Sequence, residues 1–194
     1  MTQPLDTILS EIHHHLHHGA IRRNSPMHTP VVGTADGDLR VMVLREFDPV
    51  TRVLRFHTDT RSPKVASIAA DPAMTVLLYD PEAKVQIRAR GIGRVEIASD
   101  FADAAWARST PFAKRCYLAE NPPSSDSDAP VSGLPEWVEG ITPTEEQVAP
   151  GRENFAVVLM EVSSFDWLYL ANTGHRRARF EFADGKVSST WLVP

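Results

Sequence analysis

Apolar and polar positions change their spacing several times along the chain, and each change marks an element. From Leu5 to Ile21 the period is helical: Leu5, Ile8, Ile12 and Leu16 fall on one face, as in a helix packed on a core or a partner. From Met27 the period drops towards two. Residues 29–34 read as a short strand, Asp36-Gly37 as a hairpin turn, and Leu39 to Arg45 alternates as the return strand. A turn over Phe47 to Thr51 leads into a strand over Val53 to His57. Met74 to Tyr79 is an apolar strand, and residues 84–97 alternate, with Gly91 and Gly93 suggesting a bulge or bend where a strand curls. Helices are predicted from Phe101 to about Ser109 and from Phe112 to Ala119. Residues 121–153, proline-rich and polar at their start, read as a loop in which Trp137 is an anchor. Strands return over Phe155 to Leu170, His175 to Phe182, and 186 to 193. The pattern predicts a mainly β protein with flanking helices (α+β), an antiparallel and nearly closed sheet. A 1–26 helical segment precedes a 27–194 domain.

Between the strand ending at His57 and the next helix lies Thr58-Asp59-Thr60-Arg61-Ser62-Pro63-Lys64. Ser62 is a natural N-cap, and Pro63 suits the first helical position because its missing N–H would be unpaired there. Free backbone donors, the Thr58 and Ser62 hydroxyls and the Lys64 and Arg61 cations together make either a phosphate cradle or an ordinary capped helix with solvated charges.

Composition narrows the function classes. At 194 residues, 42% hydrophobic and 23% charged, the chain suits one globular domain. A net charge of −5 argues against general nucleic-acid binding, since there is no basic surplus to displace phosphate counterions. No apolar run approaches the roughly 20 residues that span a bilayer, and no secretory leader is evident, so a cytoplasmic protein without membrane contact is expected. The single cysteine, Cys116, excludes an internal disulfide. His13-His14-His15-Leu16-His17-His18 offers two pairs one helical turn apart, but no third ligand type completes a metal site, and none is assigned. No nucleophile–base pair is evident, so catalytic residues stay unassigned.

The order of motifs resembles the pyridoxamine 5′-phosphate oxidase-related family of FMN-binding split barrels. The carriers are Arg40 and Arg45 five apart, Phe56-His57-Thr58-Asp59, Ser62-Pro63-Lys64, Gln86 five before Gly91, Trp167, and His175-Arg176-Arg177-Ala178-Arg179-Phe180, with the closing Trp191-Leu192-Val193-Pro194. The resemblance covers most of Val31 to Pro194 apart from the loop, and implies an antiparallel split β-barrel with FMN as cofactor. It implies that the FMN phosphate meets Arg40, Lys64 and the Thr58/Ser62 turn, with His57 and Pro63 in the same motif. Gln86 would lie by the flavin ring, and Trp167 with Arg177 or Arg179 would reach it from a second subunit. Arg45 or Arg179 would be the cation near the ring's N1/C2 edge. A homodimer with FMN at the subunit interface, and an oxidoreductase acting on an unidentified small molecule, follow as expectations. The alternative is a non-catalytic flavin- or haem-binding barrel. The oxidase's own substrate-phosphate residues are absent: Trp106, Thr110 and Lys114 stand at about those positions, and Pro63 replaces a second basic residue.

Overall fold

The computed structural model describes residues 3–194. The first helix, α1 (Leu5–Ile21), buries Ile8, Ile12 and Leu16 completely, the face its periodicity predicts. Nine strands among the described residues follow in one antiparallel sheet: β1 (Val31–Thr34), β2 (Leu39–Val41), β3 (Glu46–Asp48), β4 (Val53–Asp59), β5 (Ala73–Asp80), β6 (Val85–Glu96), β7 (Phe155–Tyr169), β8 (Arg176–Ala183) and β9 (Lys186–Leu192). Their order is β2-β1-β5-β6-β7-β4-β3, with β8 also pairing β7 and carrying β9.

β7 is the hub. Its first half pairs β4 and its second half pairs β8, while β6 runs along its other edge throughout. This fork bends the sheet around one core. The end strands β2 and β3 do not pair with each other, so the barrel stays split. Phe56, Phe165, Trp167 and Phe180 are fully buried there, each contributing about 2–3 kcal/mol of apolar transfer. A smaller cluster fills the far side of β4 and β7, where Phe155, Val157 and Leu159 pack under α3 (Asp100–Arg108) with Trp106 and Tyr117.

Five local expectations change. The return strand of the first hairpin is short, because Met42 and Leu44 turn into the core and their amides bond Pro30 and His28 carbonyls. Phe47 sits in a strand rather than a turn; the turn falls at residues 49–52, where Arg52 takes φ +57°. Trp137 is half exposed, and its neighbour Val138 is the buried anchor of the 121–153 segment. That segment is also ordered by a short helix, α5 (Glu145–Val148), with a Thr144/Gln147 capping box. The helix expected at 112–119 is split into α4 (Pro111–Lys114) and a 3-10 turn over Arg115–Leu118.

Candidate functional site

The helix after β4, α2 (Pro63–Ala70), starts where its sequence predicts, but Ser62 does not cap it. No backbone N–H bonds the Ser62 hydroxyl; its Oγ accepts from the Lys64 ammonium instead. Lys64 Nζ also donates to Thr58 Oγ1 at 3.2 Å. Thr58 and Ser62 are both buried, so two hydroxyls and an ammonium converge under the start of α2. Lys64 makes no ion pair among the described residues. Burial, with the Arg40 charge adding to it, pulls its ammonium below the ordinary lysine range, and Asp38 and Asp59 partly offset this.

The first hairpin delivers Arg40 to the same corner. Its Nη1 donates to Thr34 Oγ1 at 3.0 Å, and its Nη2 pairs with Asp38. Thr34 Oγ1 passes a hydrogen bond to Asp36 Oδ1 at 2.7 Å, and Asp36 Oδ2 accepts from Ser67 of α2 at 2.6 Å. The Ser67 and Thr34 hydroxyls and the Asp38 amide hold the Asp36 carboxyl at a pKa of about 2. The hairpin is thereby laced to α2, and Arg40 and Lys64 are brought near enough to repel. Two cations, two hydroxyls and a helix start suit a phosphate group: the donors are charge-assisted and fixed before any ligand arrives. Asp59, next to Thr58, is engaged elsewhere, gripping Arg61 through both carboxylate oxygens at 2.8–3.0 Å.

The other predicted residues fall in three separate places. His57 alternates to the opposite face of β4 from Thr58 and packs edge-on against Phe155, ring centroids 4.8 Å apart. Burial, then the Arg45 and Arg55 charges, push its pKa down to about 3. Arg45 lies on that side with its Nε buried and unpartnered among the described residues. A cleft of about 480 Å³ opens on the same face between Arg52, Arg55, Arg94 and Phe101.

Trp167 departs from its expected place. It is 1% exposed, opposite Ile87 and Ala178 in the inward register, and its indole N–H meets Glu11 of α1, which puts it in the core of its own chain. Strand alternation puts its neighbours outside instead. Gln86, Leu168 and Arg177 form one outward row across β6, β7 and β8, and Arg88, Asp166 and Arg179 form the next. Arg177 grips Asp166 bidentately at 2.8 and 3.0 Å, Arg88 shares the same carboxylate at 2.6 Å, and a pocket of about 210 Å³ opens over them. Against a burial that would raise it, the Arg177 bonds and the Arg88 charge hold the Asp166 pKa below the usual range. Arg179 is looser, 3.5 Å from Glu181. The β6 alternation of Gln86, Arg88 and Arg90 marks this face in the sequence, whereas the pairing of Arg88 with Asp166 comes from the strand register.

Within one chain, α2 and Gln86 meet β6 at different points. α2 packs on β6 near Gly93, where an added Cβ would lie 3.4 Å from Ile68. Gln86 is seven residues earlier on that strand, about 23 Å away at ~3.3 Å per residue.

Residues 9–97 match the family model of the pyridoxamine 5′-phosphate oxidase FMN-binding domain, a stretch that holds Arg40, Arg45, His57, Thr58, Ser62, Pro63, Lys64 and Gln86 and ends before Trp167. Over that stretch the chain is similar to the FMN-binding family its motif order resembles. Among solved structures, a pyridoxamine 5′-phosphate oxidase-related FMN-binding protein from Nostoc punctiforme superposes with a TM-score of 0.71 at 24% identity, over 95% of this chain and 96% of that one. PhzG from Burkholderia lata 383, solved with tetrahydrophenazine-1-carboxylic acid, gives 0.65 at 18% identity, over 100% and 94%. A protein related to general stress protein 26, from Clostridium acetobutylicum, gives 0.52 at 9%, over 96% of both. These likenesses establish the split-barrel fold. No curated protein matches the chain.

Proposed function

We propose that the protein is an FMN-dependent oxidoreductase of the pyridoxamine 5′-phosphate oxidase-like type, working as a homodimer on a small molecule. The observation that carries this reading is the convergence of Arg40, Thr58, Ser62 and Lys64 at the start of α2. A phosphomonoester of charge near −2 needs such fixed cationic and hydroxyl donors. Bound there, FMN would supply hydride chemistry at its ring, while the protein positions it and excludes water. Arg40 and Lys64 neutralise the phosphate, and Thr58 and Ser62 set its orientation.

The ring-side residues favour a second copy. Gln86, Arg177 and Arg179 lie on one outer face of β6 and β8 and make no contact with the Arg40, Thr58, Ser62 and Lys64 group of their own chain, so a partner chain would bring them to it. That sheet face also exposes Leu39, Val41, Leu77 and Tyr79, apolar area that a twin would cover. The reading places the protein in the cytoplasm. Among the described residues no helix is long and apolar enough to cross a membrane.

Pyridoxamine phosphate itself is not the substrate we assign. At the positions of the oxidase's substrate-phosphate residues, Trp106 packs edge-on against Tyr117 and Phe155, Thr110 caps α4, and Lys114 pairs with Glu145 at 2.6 Å. Each is occupied in holding the fold. That same occupation is what favours the second reading, a flavin or haem binder without turnover. Purified protein tests both: flavin absorbance bleached by a nicotinamide donor supports the oxidoreductase. Colour that resists every donor supports the binder, and protein that binds no added FMN refutes both flavin readings.

A further inference from the structure

Beyond the cradle's own donors, three features carry chemistry of their own. The His14–His18 ring pair on α1, 4.1 Å apart, has no third ligand beside it among the described residues, and the Arg55 guanidinium in the cleft on β4 is already paired with Glu46. The carboxylate beside the cradle is different, because it competes for a cation that a ligand would need.

The turn of the first hairpin carries two acids, Asp36 and Asp38, on either side of Gly37 at φ +84°. Asp36 is immobilised: Thr34, Ser67 and the Asp38 amide occupy its oxygens at 2.6–3.2 Å. Asp38 is anchored only through its backbone, whose carbonyl accepts from Thr34 N and whose amide donates to Asp36. Its side chain is 63% exposed and has one partner, the Arg40 guanidinium, which is itself only 17% exposed. Asp38 also acts on Lys64, raising its pKa against the pull of burial. One free carboxylate thus serves both cations of the cradle, and it can rotate into solvent without breaking the turn.

We propose that Asp38 is an internal competitor for the phosphate group, and that it tunes the cradle towards phosphomonoester dianions. This rests on the reading of Arg40 and Lys64 as phosphate ligands. The reasoning is electrostatic. A ligand group of charge −1 that displaces Asp38 replaces one unit charge by another and gains little. A dianion gains the second unit against two desolvated cations, so only it repays the exchange. A ligand lacking the phosphate never meets Asp38. Asp38 is therefore a positioning residue acting through Arg40.

The test is a fluorescence titration of wild type, Asp38→Asn and Asp38→Ser with FMN and with riboflavin, with circular dichroism melts as a control on folding. Asparagine keeps the shape and the backbone bonds of the turn while removing the charge. The expected result is at least a threefold lower Kd for FMN in both variants, with the riboflavin Kd unchanged. A general loosening of the hairpin would weaken both ligands together, and that outcome overturns the inference. An FMN Kd that is unchanged or higher in the folded variants also overturns it, while wild-type preference for FMN over riboflavin leaves the cradle standing. If wild type binds the two flavins equally, the phosphate cradle fails, and the role of Asp38 with it.

Discussion

The indole N–H of Trp167 donates to Oε1 of Glu11 at 3.3 Å, joining the C-terminal end of β7 to α1 across 156 residues of sequence. The contact explains why an aromatic residue that matches a ligand-binding motif is nevertheless structural. An indole that is fully buried still needs a partner for its N–H, and the helix supplies one. Trp167→Ala should cost about 3–5 kcal/mol in urea unfolding, and Glu11→Ala about 1 kcal/mol. A Trp167→Ala loss below ~1 kcal/mol with weakened flavin binding would restore the surface role.

Gly91 sits at the register shift between β6 and β7, and a Cβ there would stand 1.9 Å from the Glu161 carbonyl oxygen. The obstacle is backbone on the hub strand, which cannot step aside as a side chain can. Gly91→Ala should therefore lose more than about 3 kcal/mol, above the usual cost of overpacking, or give insoluble protein. Gly37→Ala meets nothing within 4 Å but must hold φ +84°, so its cost should be smaller, about 1 kcal/mol. Equal melting points for the two variants would count against this register.

His57 predicts an acid limb of stability. Its folded pKa is near 3, below the unfolded value of about 6.5, so the native state excludes a proton that the unfolded chain accepts. Stability from this group is complete above pH ~6.5 and falls as pH drops from there towards 3, by up to about 1.4 kcal/mol per pH unit. Burial also lowers the His13 pKa, in the same direction. Urea midpoints between pH 7 and 4.5 should fall less steeply in His57→Phe than in wild type. Parallel slopes would show that the ring is reached by solvent.

The proposed two-chain site makes a mixing prediction. Arg40→Ala/Lys64→Ala removes both cradle cations and should weaken FMN at least tenfold, since each loses a charge-assisted contact. Arg177→Ala/Arg179→Ala should weaken it through the ring side. Unfolded together and refolded, the two variants should recover about a quarter of the sites, because half the dimers are mixed and one of their two sites is intact. No recovery, or a monomer in sedimentation, would place the whole site in one chain.

Much was legible before any coordinates. The periods of α1 and the strands follow from which residues must leave water, and the Ser62-Pro63 start of α2 follows from the geometry of a helix terminus. The cradle residues were readable too, because Thr58, Ser62 and Lys64 lie within seven positions and local geometry brings them together. Long-range pairing was not legible. Whether Trp167 faced core or surface hung on the register of β7 against β6 and β8, and a single-residue slip would have reversed it. His57 and Thr58, adjacent in the motif, take opposite faces by strand alternation, and only the register decides which of them faces the core. The capture of Arg40 by Asp38 and the gathering of Arg88, Asp166 and Arg177 on an outer face arise from side chains that meet only once strands are aligned. Sequence fixes what each residue prefers; only the folded sheet decides which preferences meet.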